Sequence, residues 1–332
     1  MHSHSIGRRA RQAVLLGLAL VAGLAHWSVP RGAQAQDFPT RRLTVIVPYA
    51  PGGQGDFLAR LINQRLADRI GQPVVIENRP SVTGLVGVVA GARATPDGYT
   101  ITLIANQNLV SNLIEQGPFN LARDVAPVIK LADYYLLLLV RPSLAVRNVD
   151  ELLAMMKAKP RGLTLGSGGV GASGHVAMEL VKQKTGAEAL HVPYKGEGPA
   201  ITALLAGEVD MAFITVSGSA AHVKAGKMRA IGVSSAKRLA AWPDVQAVAE
   251  SVPGVEYVSW FGMVAPPATP RPRIDYLARE IGAILQVPEV RQTLADRAFE
   301  VAGGTPDQFG RNIQNDAEVL GKLIRELGIK PQ

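Results

Sequence analysis

The chain has 332 residues, no cysteine, and 35 Lys and Arg against 27 Asp and Glu, a formal charge of +8. That charge invites a nucleic-acid reading, but no Lys/Arg run reaches the roughly five to eight residues of a phosphate-binding patch, and the aromatics are not interleaved with basic residues, so nucleic acid is not expected as a partner. Without cysteine there are no disulfides, and stability rests on a core that 47% apolar residues amply supply.

In chain order, Arg8, Arg9 and Arg11 precede the apolar run Ala13–Ala25, and Ala33-Gln34-Ala35 follows as a small-x-small cleavage pattern. Residues 1–35 therefore read as a secretory signal cleaved near Ala35, with the mature protein beginning at Gln36. The apolar run is shorter than the ~20 residues that span a bilayer. Removing the arginines at 8, 9, 11 and 31 leaves a mild excess of about +4, which suits small anions better than polymers. No cysteine is present for lipid acylation, so a freely diffusing periplasmic protein is expected; Arg8-Arg9 leaves the Sec and twin-arginine routes both open.

Short apolar runs follow at Leu43–Val47, Val74–Ile76, Thr100–Ile104, Leu136–Val140, Leu163–Leu165, Leu190–Val192, Val209–Ile214 and Met228–Val233. They are apolar on both faces, as strands of a helix-covered parallel sheet are. Between the first two, Phe57, Leu58, Leu61, Ile62, Leu66 and Ile70 recur at helical spacing, and Gly71 with Pro73 ends that helix. Val149–Lys159 and Gly174–Lys184 read as helices too. After Pro266-Pro267 the pattern predicts helices only: Ile274–Leu285, Glu289–Ala298, and one starting at Pro306 with Thr305 as N-cap. The fold class is α/β, and the length suggests two domains. Leu136–Pro142 and Tyr257–Pro267 are the expected hinges. Two crossings there would make a discontinuous first domain, residues 36–138 with 258–332, and a second domain, 139–257, with a ligand cleft between them.

Two glycine-rich turns join a strand to a helix. In Pro48–Asp56, the residues Tyr49, Ala50, Pro51, Gly52, Gly53, Gly55 and Asp56 would aim successive N–H groups and a helix N-terminus at one point, a site for a carboxylate or phosphate. An ordinary turn with Asp56 favoured by the helix dipole reads equally well. The second turn, Gly166–His175, contains G-x-G-x-x-G, but the next strand ends in Pro193-Tyr194 where a dinucleotide site needs an acid, and His175 stands where a P-loop needs lysine. A neutral cradle remains, with Ser167, Gly169, Gly171, Ser173 and His175 as candidate ligand contacts. Asn106 and Thr215 open similar polar turns, each more often a turn or cap than a site when taken alone.

No catalytic residue, cofactor or metal ligand is expected. The chain has no G-x-S-x-G or H-E-x-x-H motif, and His175, His191 and His222 lack metal-ligand spacing. Glu208 and Asp210 share a face with nothing to complete an acid–base pair.

Several motifs recur together: Pro48-Tyr49-Ala50-Pro51-Gly52-Gly53 with Asp56, Glu77-Asn78-Arg79-Pro80, Pro96-Asp97-Gly98-Tyr99-Thr100, His191-Val192-Pro193-Tyr194-Lys195-Gly196, Leu204-Leu205-Ala206-Gly207 with Val209-Asp210, Lys224-Ala225-Gly226-Lys227, and Trp260-Phe261-Gly262 with Ala265-Pro266. In this order they resemble the periplasmic solute receptors of the tripartite tricarboxylate transporter family, the Bug receptors. The resemblance implies a type II, venus-flytrap binding protein with two inter-domain crossing strands and no catalysis. Such a receptor closes on a carboxylate and delivers it to a membrane permease. Backbone amides and ordered waters of the Ala50–Asp56 and Ser167–Ser173 loops would hold the ligand.

Three departures, Ser81-Val82-Thr83-Gly84-Leu85, Asn106-Gln107-Asn108 and Ile214-Thr215, suggest a less acidic, partly apolar distal pocket. That would favour a monocarboxylate, an aromatic acid or a dicarboxylate over an amino acid. The partner would be a permease or a sensor protein, and the receptor a monomer. The alternative is an exported α/β enzyme using Gly166–Gly174 for a cofactor.

Overall fold

The first strand, β1 (Leu43–Val47), is buried at four of its five positions, as a central strand covered on both faces must be. In the computed structural model, which describes residues 38–81, 83–326 and 328–329, it lies inside a six-stranded sheet. The signal segment read at residues 1–35 lies outside the described residues. The other strands of this sheet are β2 (Val74–Asn78), β3 (Thr100–Ala105), β4 (Ala126–Tyr134), β10 (Ser259–Ala265) and β11 (Phe299–Gly303), in the order β11-β4-β10-β3-β1-β2. A five-stranded sheet contains β5 (Leu136–Val140), β6 (Thr164–Ser167), β7 (Leu190–Pro193), β8 (Met211–Thr215) and β9 (Arg229–Val233), in the order β7-β6-β8-β5-β9.

The two sheets share one plan. Three parallel strands (β2-β1-β3 and β7-β6-β8) are followed by one antiparallel strand, β10 or β5, and then by a fifth strand, β4 or β9, with β11 beyond β4 in the larger sheet. The sheets are thus mixed, where apolar faces alone suggest parallel ones. Burial on both faces makes the same hydrophobic demand in either case, so that pattern carries no information about strand direction.

Among the described residues the helices are α1 (Gln54–Ile70), α2 (Leu85–Ala92), α3 (Asn106–Glu115), α4 (Val149–Ala158), α5 (Ser173–Thr185), α6 (Glu197–Ala206), α7 (Val216–Lys224), α8 (Val248–Ser251), α9 (Arg271–Leu285), α10 (Pro288–Ala295) and α11 (Pro306–Glu326). Helix α1 turns Leu58, Ile62, Leu66 and Ile70 inward at a spacing of four and ends at Gly71, whose φ of 66° is left-handed. At the start of α11 the Gln308 amide donates to the Thr305 hydroxyl while the Gln308 side chain accepts the Thr305 N–H, a capping box. Phe309 and Ile313 of this helix pack with Trp260 and Ile104 in the core of the larger sheet. Leu137, Leu139, Ala212 and Ile214 centre the core of the smaller one.

Three strands escape the sequence pattern. β11 overturns the expectation of helices alone after Pro266-Pro267, being a short edge strand with one fully buried residue and a glycine end. β4 contains Pro127, Lys130 and Asp133, and the Lys130–Asp133 ion pair (2.6 Å) lets those polar residues lie in a partly buried strand. β10 is buried throughout, and together with β5 it occupies most of what read as hinge. The chain passes between the sheets at Tyr135 and along residues 234–258.

Ser234 pins the two crossings together. Its hydroxyl accepts the Leu136 N–H (3.0 Å) and donates to the Tyr257 carbonyl (2.7 Å), while its backbone bonds Leu136 and Tyr257 as well. Ser234→Ala removes both side-chain bonds in a buried place and is expected to cost about 1–3 kcal/mol in urea unfolding. A cost near zero would mean that the crossings are held by their backbone bonds alone.

Candidate functional site

A cleft of about 700 Å³ opens between the two sheets. Its walls follow from chain direction: each parallel strand runs into a turn and then a helix, so the helices begin at the same sheet edge. The residues lining the cleft include the first turns of α1 (Gln54, Gly55), α3 (Gln107), α5 (Ser173, Gly174), α6 (Glu197, Gly198) and α7 (Ser217, Gly218). First-turn N–H groups have no helical partner, and the helix dipole places partial positive charge there. Five such ends bring N–H donors and partial positive charge to one space, and among the described residues Arg297 is the one cationic and Glu197 the one acidic side chain on its lining.

Close approach depends on Gly174. A Cβ there would lie 2.3 Å from the Phe213 carbonyl oxygen, so only glycine lets α5 start directly on β8. The apolar wall is aromatic: Phe261 stacks on Tyr134 (centroids 5.1 Å apart) and meets the Tyr49 ring edge-on at 6.1 Å. Burial raises both phenols, Tyr134 to about 12, and Tyr49 donates its proton to Asn108 Oδ1 at 2.7 Å.

The first glycine turn is held from behind. Asp56 accepts the Gly52 N–H (2.9 Å), Arg60 Nε (2.8 Å) and Asn78 Nδ2 (2.8 Å), and Asn78 also donates to the Tyr49 carbonyl. The hydrogen bond from Arg60 is the largest cause that holds the Asp56 carboxyl at about 2. Tyr49, Ala50, Pro51, Gly52, Gly53 and Gly55 line the cleft; Asp56 does not, because its carboxylate is turned into the loop it fastens.

Across the cleft, Thr215 is a junction. Its hydroxyl accepts Gln54 Nε2 (2.9 Å) and the Gly218 N–H (3.1 Å) and donates to Glu197 Oε1 (2.7 Å). Gln54 also donates to Ser217 Oγ. One side chain of the larger sheet's first helix therefore bonds two residues of the smaller sheet's lobe.

Ser173 and Thr215 line the cleft as the sequence suggests, but Ser167, Gly169, Gly171, His175 and Asn106 do not. Ser167 is fully buried and bonded to His191 Nε2 at 2.6 Å. Gly169 donates its N–H to Ser167, and the lining position next to it is Gly168. Gly171 packs against Ile114 and Val110 and donates its N–H to His175 Nδ1 (3.1 Å). The His175 ring stacks on His191, centroids 4.0 Å apart. Burial lowers both imidazoles to about 4, with positive charge nearby assisting, so both are neutral at pH 7. Asn106 donates to the Tyr257 hydroxyl and the Val258 carbonyl and faces a different groove; its neighbour Gln107, one helical step round, reaches the cleft.

Gly166 and Gly171 of the G-x-G-x-x-G serve packing, while Gly168 lines the cleft. A Cβ at Gly166 would stand 2.9 Å from Val209, and one at Gly171 2.6 Å from Ile114, which removes the observation behind a cofactor-binding enzyme. The expectation of a less acidic pocket also changes, because Glu197 stands on the lining and bonds Thr215 itself. Gln54, Gln107, Glu197, Ser217 and Arg297 are polar contributors missed by sequence reasoning. Glu197 follows a strand and begins a helix, a signal that could have found it; Arg297 reaches the cleft from the turn after α10, with no local signal.

Two sheets of like strand order, linked by two crossings and opening by helix N-termini onto one cleft, define a two-domain α/β solute-binding protein. The model of the tripartite tricarboxylate transporter family receptor matches residues 58–329, and the chain belongs to that family. A protein of Pseudomonas sp. strain P51, from the tcbD-tcbE intergenic region, is 34% identical over 325 residues, 97% of this chain and 95% of that protein. Among solved structures, R. palustris Rpa4515 with adipate is similar at TM-score 0.80 and 33% identity, covering 89% of this chain and 100% of that one. MatC from Rhodopseudomonas palustris with bound malate is similar at TM-score 0.76 and 27% identity, covering 86% and 100%.

Proposed function

We propose that the chain is a periplasmic receptor, without catalytic activity, that captures a small organic acid in the cleft and hands it to a membrane permease. The convergence of five helix N-termini on a space where Arg297 is the single cationic side chain among the described residues carries this reading, since such a site attracts an anion without the desolvation cost of many buried cations. The adipate and malate in the two related structures support a carboxylate. The ligand carboxylate would sit against the amides of the Gly52–Gly55 turn and of Ser173 and Gly174, with Arg297 at the mouth.

The closing lobes are the two sheets with their helices. We take the first boundary at Tyr135, a few residues before Leu138, a choice supported by the pairing of β5 with β8 along its whole length. Bonds such as those of Gln54 to Thr215 and Ser217 exist only when the lobes meet, and a ligand touching both lobes shifts the population toward that closed form. The receptor acts as a monomer, and a permease that reads the closed surface is its partner.

A thermal-shift screen with organic acids tests the reading, because a ligand of the native state raises Tm. Acids should raise it and their neutral amides should not; a panel in which no acid does so would overturn the proposal. Ser173→Ala should weaken binding by about 0.5–1.5 kcal/mol in titration calorimetry, whereas Ser167→Ala, which faces His191, should leave affinity within about 0.5 kcal/mol. Equal losses would place the ligand deeper in the second loop.

A further inference from the structure

Among the described residues Glu197 is the one acidic side chain on the cleft lining, and no cation forms an ion pair with it. Its Oε1 accepts the Thr215 hydroxyl and its Oε2 the Thr215 N–H, leaving each oxygen able to accept again. Gly218 packs against it so closely that a Cβ there would stand 2.5 Å from Oε1, and nothing lies within 4 Å of where a Cβ would stand on the flanking Gly196 or Gly198. The carboxylate is therefore fixed in place with open space beside it. A partly buried carboxylate without a paired cation is unfavourable, and the two Thr215 bonds with the N-terminus of α6 supply only part of what water would. The glycine turn of α1 and the start of α5 are rich in N–H donors on other walls of the same cleft.

We propose that Glu197 determines specificity by accepting a protonated amine, so that the cleft favours a small acid carrying an ammonium over a dicarboxylate on the same carbon chain. This rests on the reading of the cleft as a carboxylate site. The N–H donors neutralise the carboxylate end of such a ligand, and Glu197 receives the positive end. Burial raises the Glu197 carboxyl, against the hydrogen bonds from Thr215. The competing way to relieve the same charge is for Glu197 to bind a proton and donate it to a second ligand carboxylate, and this would favour dicarboxylates.

Titration calorimetry at pH 7 with matched pairs separates the two: glutarate with γ-aminobutyrate, adipate with δ-aminovalerate, and glutarate with glutamate. The amino member of at least one pair should bind about tenfold tighter, and Glu197→Gln should abolish that preference. If that variant does not fold, Glu197→Asp, which withdraws the charge by one methylene, should reduce it. Diacids that bind as well as or better than the amino acids in every pair overturn the proposal while leaving the carboxylate reading intact. A preference that survives Glu197→Gln overturns it as well. Failure of every acid in the panel overturns both.

Discussion

Acidification from pH 7 to pH 4 is expected to destabilise the native state, with the stacked pair His175 and His191 contributing about 3–5 kcal/mol of the loss. Both rings are held neutral by burial at about 4, while in the unfolded chain they titrate near 6.5. Between those values the unfolded chain binds protons that the native state refuses, so stability rises with pH: it is fully present above about 6.5 and is lost as pH falls toward 4. The carboxyls of Asp133, Glu197 and Asp316 are raised by burial and work in the opposite sense, offsetting part of the loss. Urea unfolding at a series of pH values measures the net arm, and the same series on His191→Gln isolates the histidine share, which should shrink by about half. An arm of equal slope in wild type and variant would contradict the neutral pair. The site feels this as well, because the His175 nitrogen that a proton would occupy accepts the Gly171 N–H of the second glycine turn.

Asp56→Ala should be the most damaging single change to the first glycine turn, costing about 2–4 kcal/mol of stability and lowering ligand affinity at least about tenfold. The buried carboxylate gathers donors from three places, the Gly52 amide, Arg60 one helical turn on, and Asn78 at the end of β2. Alanine leaves the Gly52 amide without its acceptor, takes one of two acceptors from Asn78, and removes the negative charge from the first turn of α1, where the dipole favours it. Because Asp56 does not line the cleft, a loss of affinity would report the shape of the turn and not a lost contact. Asp56→Asn, which keeps one acceptor oxygen, should fall between. Calorimetry beside urea unfolding checks both effects, and normal affinity in Asp56→Ala would show that the turn keeps its form without this anchor.

The parts legible in the chain are those whose cause is local. β1, the inward stripe of α1, the Thr305 cap and the two glycine turns are written in neighbouring residues, and they already place an anion site at strand ends. Strand direction is not local: β5 and β10 carry the same apolar runs as their parallel neighbours and reverse only because the chain crosses between sheets. Within the second turn, local chemistry marks Ser167, Gly171 and His175 as readily as Ser173. Which of them face the cleft depends on contacts from elsewhere, His191 from β7 and Val110 and Ile114 from α3. Glu197 and Gln54 acquire their meaning only from each other's partner, Thr215.

The central claim, that helix N-termini in the cleft bind a carboxylate, is tested most directly by following backbone amide chemical shifts while adipate or δ-aminovalerate is titrated into the protein. The largest saturable changes are expected at Gly52–Gly55, at Ser173 and Gly174, and at Gly218. Changes concentrated along the separate groove beside Asn106 and Tyr257, or none at saturating acid, would contradict it.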